Sequence, residues 1–480
     1  MSLGISFAFV VYLFIMMSIG IYFYFKTNDL SDYILGGRSL GPGVAALSAG
    51  ASDMSGWLLL GLPGALYASG MNSIWIAIGL TIGAFLNWQF VASRLRIYTE
   101  KAGNSITIPD YLENRFEDSS RALRVISAFV ILVFFTIYVS SGLVGGAILF
   151  ERTFGLSYQT ALWIGAVVIV GYTFLGGFMA VTLTDFIQGI LMFCALIIVP
   201  VIAINLTGGW DKMIFAVNSV NPSHLDAFTG MTAMGIISLM AWGLGYFGQP
   251  HILTRFMALK NPKDAPMAQI VGMSWMVIGL LGAIFTGFAG IGFLDAPLDN
   301  PETVFIVLTE TIFNPWVAGI LLAAILSAIM STIDSQLLVC SSAVAEDFYR
   351  SILKKDASQK ELVWIGRIAV LILALIATAF ASNPQSRVLD LVSYAWGGFG
   401  AAFGPVVILS LFWKKMTRNG ALAGMITGAV TVIVWKNLSG GIFDVYEILP
   451  GFILCTLAII IGSLAGSGPS ESIKNTFDEV

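Results

Sequence analysis

The chain has 480 residues, of which 57% are hydrophobic and only 11% charged, and its mean hydropathy is +0.87. Soluble domains carry about 25% charged residues, so a water-soluble enzyme or nucleic-acid-binding domain is not expected. The net charge of −4 says little, because the distribution of charge matters more. Apolar runs recur to about residue 466, each near the ~20 residues that span a bilayer as a helix. A transmembrane barrel would show alternating ten-residue segments instead. The fold class is therefore an all-α polytopic membrane protein.

Thirteen spanning segments are predicted, with cores at 4–25, 40–68, 74–93, 124–150, 159–180, 186–205, 231–253, 268–293, 316–344, 363–382, 390–413, 420–437 and 447–466. The first run is not read as a cleaved signal peptide: Met1–Gly4 has no basic side chain, and no Ala-x-Ala site follows. The connection 94–123 contains Ile108-Pro109-Asp110-Tyr111-Leu112 and is predicted to form a short helix along the membrane face. The connections 206–230 and 294–315 are also long. The tail 467–480 is short and polar, too short for a signalling domain. Cytoplasmic loops accumulate Lys and Arg. With the N-terminus outside and the C-terminus inside, 20 of the 24 basic residues fall on the cytoplasmic side. Only Arg152, Lys212, Arg387 and Lys436 fall outside.

Two segments are interrupted. In the second, Gly50-Ala51-Ser52-Asp53-Met54-Ser55-Gly56-Trp57 precedes Gly61-Leu62-Pro63-Gly64. An ionised Asp at bilayer depth costs about 2.5–3.5 kcal/mol, so Asp53 is expected to face a cavity, a partner or a cation. In the seventh, Gly243, Gly245 and Gly248 lead to Pro250, which cannot donate a helical hydrogen bond. Unwound backbone at this depth must line a cavity or be buried in protein. The breaks lie five segments apart and enter from opposite sides, the pattern of an inverted-repeat transporter with a midplane site. Glycine also serves close helix packing, the expected role of Gly142, Gly145 and Gly146.

The ninth segment adds Ser331 and Thr332, adjacent hydroxyls in an apolar helix. Such groups commonly bond back one turn. Alternatively, with carbonyls freed near Ala51 and Met54, they form an oxygen cage for sodium, which prefers hard oxygen donors. Spacing alone does not separate the two. Asp334 lies just beyond. Cys194, Cys340 and Cys455 lack metal-like spacing, and His224 and His251 are the only histidines. With so few histidines and no carboxylate cluster, a membrane enzyme is not expected.

The sequence resembles the sodium/solute symporter family. The matching stretches are Asp32 to Pro42, Ala46 to Ala65, Trp242 to His251, Met330 to Thr332 and Ser393-Tyr394-Ala395-Trp396. The resemblance implies a LeuT-like five-plus-five inverted repeat (40–205 and 231–413) in one transmembrane domain, 1–480, with one extra N-terminal helix and two extra C-terminal helices (420–466). It implies sodium binding at the backbone of Ala51, Met54 and Ala328 and the hydroxyls of Ser331 and Thr332, with Asp53 in cation coupling. Solute binding maps to Ser55, Gly56, Trp57, Tyr138, Trp242, Tyr246 and Pro250. Arg38 and Asp185 match polar positions near the cytoplasmic side, and a cation or proton role for Asp334 stays open. The expected activity is sodium-coupled uptake of L-proline across a bacterial plasma (inner) membrane. Another small solute (a different amino acid, a carboxylate or a sugar) is the alternative. Sodium, the solute and the lipid bilayer are the expected partners, with no obligatory protein partner.

Overall fold

The computed structural model describes residues 2–25, 30–175 and 177–480. Met1 lies outside the described residues, as does Lys26, one of the 20 basic residues assigned to the cytoplasmic side. Among the described residues the chain is helical apart from one isolated bridge, Leu40 to Leu259. The principal helices are α1 (Leu3–Tyr24), α2 (Pro42–Asp53), α3 (Leu62–Ser69), α4 (Ile74–Leu86), α5 (Ser93–Lys101), α6 (Ile108–Arg115), α7 (Ala122–Phe154), α8 (Tyr158–Leu175) and α9 (Phe178–Leu206). They continue as α10 (Ala233–Met240), α11 (Pro250–Met257), α12 (Ala265–Phe293), α13 (Pro315–Ser342), α14 (Gln359–Phe380), α15 (Val388–Phe412), α16 (Arg418–Trp435) and α17 (Ile448–Leu464). Eight helical stretches among the described residues are long and apolar enough to cross a membrane.

Local sequence explains the boundaries. Thr107, Asn314, Ser358 and Thr417 each accept a hydrogen bond from a first-turn amide, satisfying a donor the helix cannot. α6 is the short helix expected in 94–123. Several boundaries differ from expectation: the third segment runs on to Lys101 and the ninth to Leu353, and the difference that bears on the site lies before α9. The fifth segment stops at Leu175 and α9 begins at Phe178, not near 186. The stretch between the two expected segments is helical, and the hydroxyls of Thr182 and Thr184 are satisfied within it by the carbonyls of Met179 and Ala180. Asp185 is therefore inside a long helix and fully buried.

Packing follows the apolar faces. In their apolar stretches, 83% of residues are buried for α13 and α15 but 28% for α1, so α13 and α15 are central and α1 is peripheral. α2 packs on α9, α11, α12 and α13. The 3-10 turn Ala241–Gly248, which joins α10 towards α11, packs on α4, α15 and α17. That turn sits against α4 backbone to backbone: a Cβ on Gly83 would fall 2.0 Å from the Gly243 carbonyl oxygen. Only glycine permits this approach. Both interrupted helices thus end in the middle of the bundle, against the two most buried helices.

Candidate solute and cation site

The first break is built by diverted hydrogen bonds. In a continuous helix the Ala51 carbonyl would accept from Ser55 N–H. Met54 leaves the helical region at φ −79°, ψ 67°, and Ser55 N–H donates instead to Asp53 O at 2.9 Å. The Ala51 carbonyl, so freed, accepts from Ser331 Oγ at 2.7 Å and from Thr332 Oγ1 at 3.4 Å. Ser331 also donates to Ala328 O at 3.2 Å. Four oxygens from two helices therefore converge around Ala51, and all four residues are buried. Ser331 reaches across to α2 as well as back along α13. Met54 follows directly at the break. It lines a cavity of about 20 Å³ with Asp53, Asn87, Tyr246 and Met276, room for one water.

The Asp53 carbonyl takes two other donors, Trp57 Nε1 at 3.2 Å and Tyr138 Oη at 3.4 Å. Its carboxylate Oδ2 accepts from the Tyr246 hydroxyl at 2.5 Å, and Oδ1 has no protein partner among the described residues. Asp53 thus ties the first break to the second. Trp57 and Trp242 face each other at 6.4 Å. Ser55 is buried, and Gly56 lies against Ile329, where a Cβ would be 3.1 Å from Cγ1. The structure thus brings together Ser55, Gly56, Trp57, Tyr138, Trp242 and Tyr246. Pro250 lies elsewhere. It starts α11 and lines a narrow cleft with Thr107, Thr254, Arg255 and Asp347.

Three contributors escaped sequence reasoning. Trp396 Nε1 donates to the Trp242 carbonyl at 2.7 Å, and its ring meets Tyr246 edge-on at 5.0 Å. Asn87 Nδ2 donates to the Tyr246 carbonyl at 2.9 Å. Arg255 is fully buried and pairs with Asp185 at 3.2 Å. It also donates to Ser335 Oγ at 2.5 Å and Ser48 Oγ at 3.1 Å, while Ser48 donates to Asp185 at 2.6 Å. This cluster joins α2, α9, α11 and α13 one turn beyond the oxygen group. Asp334 lies at its edge, 3.5 Å from the Ser335 hydroxyl. Arg38, outside the spans, clamps the carbonyls of Met257 and Ser105 at 2.8 and 2.7 Å.

The fold and this site define a class: a polytopic helical transporter, with two broken helices enclosing buried aromatic and oxygen-rich surfaces. Comparison with known proteins gives the family. Residues 33–428 match the Sodium:solute symporter family, and the chain belongs to it. A sodium/proline symporter of Escherichia coli (strain K12) is 56% identical over 478 residues, covering 98% of this chain and 95% of that protein. The high-affinity proline transporter PutP of Bacillus subtilis (strain 168) is 53% identical over 468 residues, covering 97% and 98%. Among solved structures, a Na+-coupled sialic acid symporter in a substrate-bound outward-open state superposes with a TM-score of 0.83 at 19% identity, covering 98% and 99%. MhsT in complex with L-phenylalanine superposes at 0.54 and 15% identity, covering 88% and 98%. The fold is that of LeuT-type transporters.

Proposed function

We propose that this chain couples the entry of sodium to the uptake of L-proline by alternating access. The substrate assignment rests on relatives about half identical over nearly the whole chain, whose names specify proline. The site assignment rests on one observation: Ser331 and Thr332 of α13 meet the freed Ala51 carbonyl at the break after α2. Sodium would take the oxygens of Ala51, Ala328, Ser331 and Thr332, with the Met54 backbone completing the set. Bridging α2 and α13, it would fix the first break and, through Asp53 and Tyr246, the second.

Proline is a zwitterion on a rigid apolar ring. Trp57, Trp242, Tyr138 and Tyr246 supply aromatic walls, and a cation–π contact to the secondary ammonium is worth about 0.5–2 kcal/mol. The Gly56 amide at the break suits the carboxylate. Pro250, in the separate cleft beside Arg255, would act from outside this pocket. In this scheme the chain crosses the membrane thirteen times, with the N-terminus outside and the C-terminus in the cytoplasm of a bacterial cell. The repeats are 40–205 and 231–413, and 420–466 adds two helices. The placement of 20 of the 24 basic residues on one side supports this orientation. An inside-negative potential then favours entry of the loaded sodium by about 2.3 kcal/mol per 100 mV. No covalent step is needed.

Linkage tests the coupling: sodium and proline must raise each other's affinity by the same factor. Equilibrium binding of radiolabelled proline to the purified protein, titrated with sodium, is expected to tighten with the ion. Proline binding indifferent to sodium contradicts the proposal.

A further inference from the structure

Tyr446 lies in the connection between α16 and α17, the pair that the repeat scheme leaves outside the ten-helix core. It nevertheless reaches the aromatic pocket. Its ring lies 5.5 Å from that of Trp242, tilted by 36°, and the Trp242 ring in turn lies 6.4 Å from that of Trp57. Its backbone N–H donates to Ser238 Oγ at 2.7 Å, and its hydroxyl donates to the Ser393 carbonyl at 2.6 Å. One residue thus ties α10, which leads into the second break, to the first turns of α15. The α15 backbone lies close to the ring: a Cβ on Gly397 would come within 3.3 Å of it.

Next to Tyr446 in sequence, Val445 borders a cavity of about 580 Å³ of mixed character, lined by polar Ser69, Asn72, Ser238 and Asp444 and by apolar Met231 and Met234. Cavities of roughly 300–1,000 Å³ are the size that admits small molecules. Tyr446 itself turns its ring inward to Trp242. The cavity's walls come from the connections after the second and twelfth segments and from the start of the seventh, all towards the outer side in the proposed orientation.

We propose that Tyr446 is the outer wall of the solute pocket, that it contacts the bound solute, and that it limits both solute size and escape to the outside. The outer cavity is the vestibule through which a small zwitterionic amino acid arrives. This proposal rests on the reading of the chain as an inward symporter. It adds that the C-terminal pair contributes directly to the site.

The first test needs no solute. A Ser55→Cys reporter is placed in a chain lacking Cys194, Cys340 and Cys455, reconstituted in liposomes in sodium, and labelled from outside with an impermeant thiol reagent. Tyr446→Ala should speed labelling about tenfold, equivalent to about 1.4 kcal/mol of lost closure, while Tyr446→Phe keeps the slow rate. Equal rates in all three overturn the proposal. The second test, without the reporter, measures release of bound proline into excess unlabelled proline, and competition by proline against a bulkier 4-phenylproline. Tyr446→Ala should release proline about tenfold faster and shift the preference towards the bulkier solute by a similar factor. The sodium midpoint measured without solute should stay unchanged, a readout that general loosening of the fold would move. Unchanged release and preference overturn the proposal. If Tyr446→Ala fails to fold, Tyr446→Leu is judged by the same criteria. If the wild type binds no proline, the substrate reading fails, while the labelling result still decides on the wall.

Discussion

Ser331 and Tyr246 carry the two side-chain contacts on which the proposed coupling rests. Ser331 donates across to Ala51 at 2.7 Å, from one helix to another. Removing its hydroxyl takes one oxygen from the cation's set and leaves the backbone ones. Ser331→Ala should raise the sodium concentration for half-maximal transport about tenfold, equivalent to about 1.4 kcal/mol, with little change at saturating sodium. Transport measured against sodium concentration checks this, and an unchanged midpoint contradicts the assignment. Tyr246 donates to Asp53 Oδ2, while Oδ1 has no protein partner among the described residues. Tyr246→Phe leaves that buried carboxylate with neither oxygen satisfied by the hydroxyl, a loss of about 1–3 kcal/mol. Proline affinity should fall at least tenfold, because the loss falls between the two breaks. A binding isotherm like the wild type's would show that this hydrogen bond does not set the pocket.

The interrupted helices depend on backbone contact that only glycine allows. A Cβ on Gly83 would overlap the Gly243 carbonyl at 2.0 Å, and neither side is a flexible side chain that could move away. Gly83→Ala should lower the melting temperature in detergent and impair proline binding together. Gly171→Ala, where nothing lies within 4 Å, should be neutral or stabilising, since alanine gains about 0.5–1 kcal/mol over glycine in a helix. If the two variants melt alike, close packing at the second break is not needed. The breaks themselves were legible in the sequence, because glycine and proline interrupting an apolar run have a direct physical cost. Their partners were not. Trp396 and Tyr446 look like any of the chain's aromatics until folding brings α15 and the α16–α17 connection beside Trp242. Asp185 was legible as a polar residue, but its partner Arg255 is 70 positions away on another helix. The boundary before α9 was misplaced because threonine hydroxyls that bond back to their own helix give no sign of doing so in sequence.

For the molecule as a whole, ion pairs concentrate at the end rich in Lys and Arg. Arg124 reaches Asp110 at 2.7 Å, Asp347 at 2.8 Å and Glu113 at 3.3 Å, joining α6, α7 and the extension beyond α13. Asp118, in the connection before α7, pairs with Arg418 at the start of α16 at 2.6 Å. Burial by itself would raise the Asp118 pKa. Hydrogen bonds from Ser120 and the Leu123 amide, with Arg418, outweigh it and hold the carboxyl below its ordinary 3.8. Its contribution is present above that ordinary value and fades as pH falls through the depressed one. The wild type should therefore lose stability in acid below about pH 4, and Asp118→Asn should be less stable near neutrality with a flatter dependence over that range. Melting temperature against pH for the two proteins checks this, and parallel curves contradict it.

The most direct test of the central claim is uptake of radiolabelled L-proline into proteoliposomes holding the purified protein, with a sodium gradient directed inward and potassium as control. The account predicts accumulation above the external concentration with sodium, enhanced by an inside-negative potential, and none with potassium. Robust uptake that ignores sodium, or sodium-driven accumulation of another solute but not proline, would contradict it.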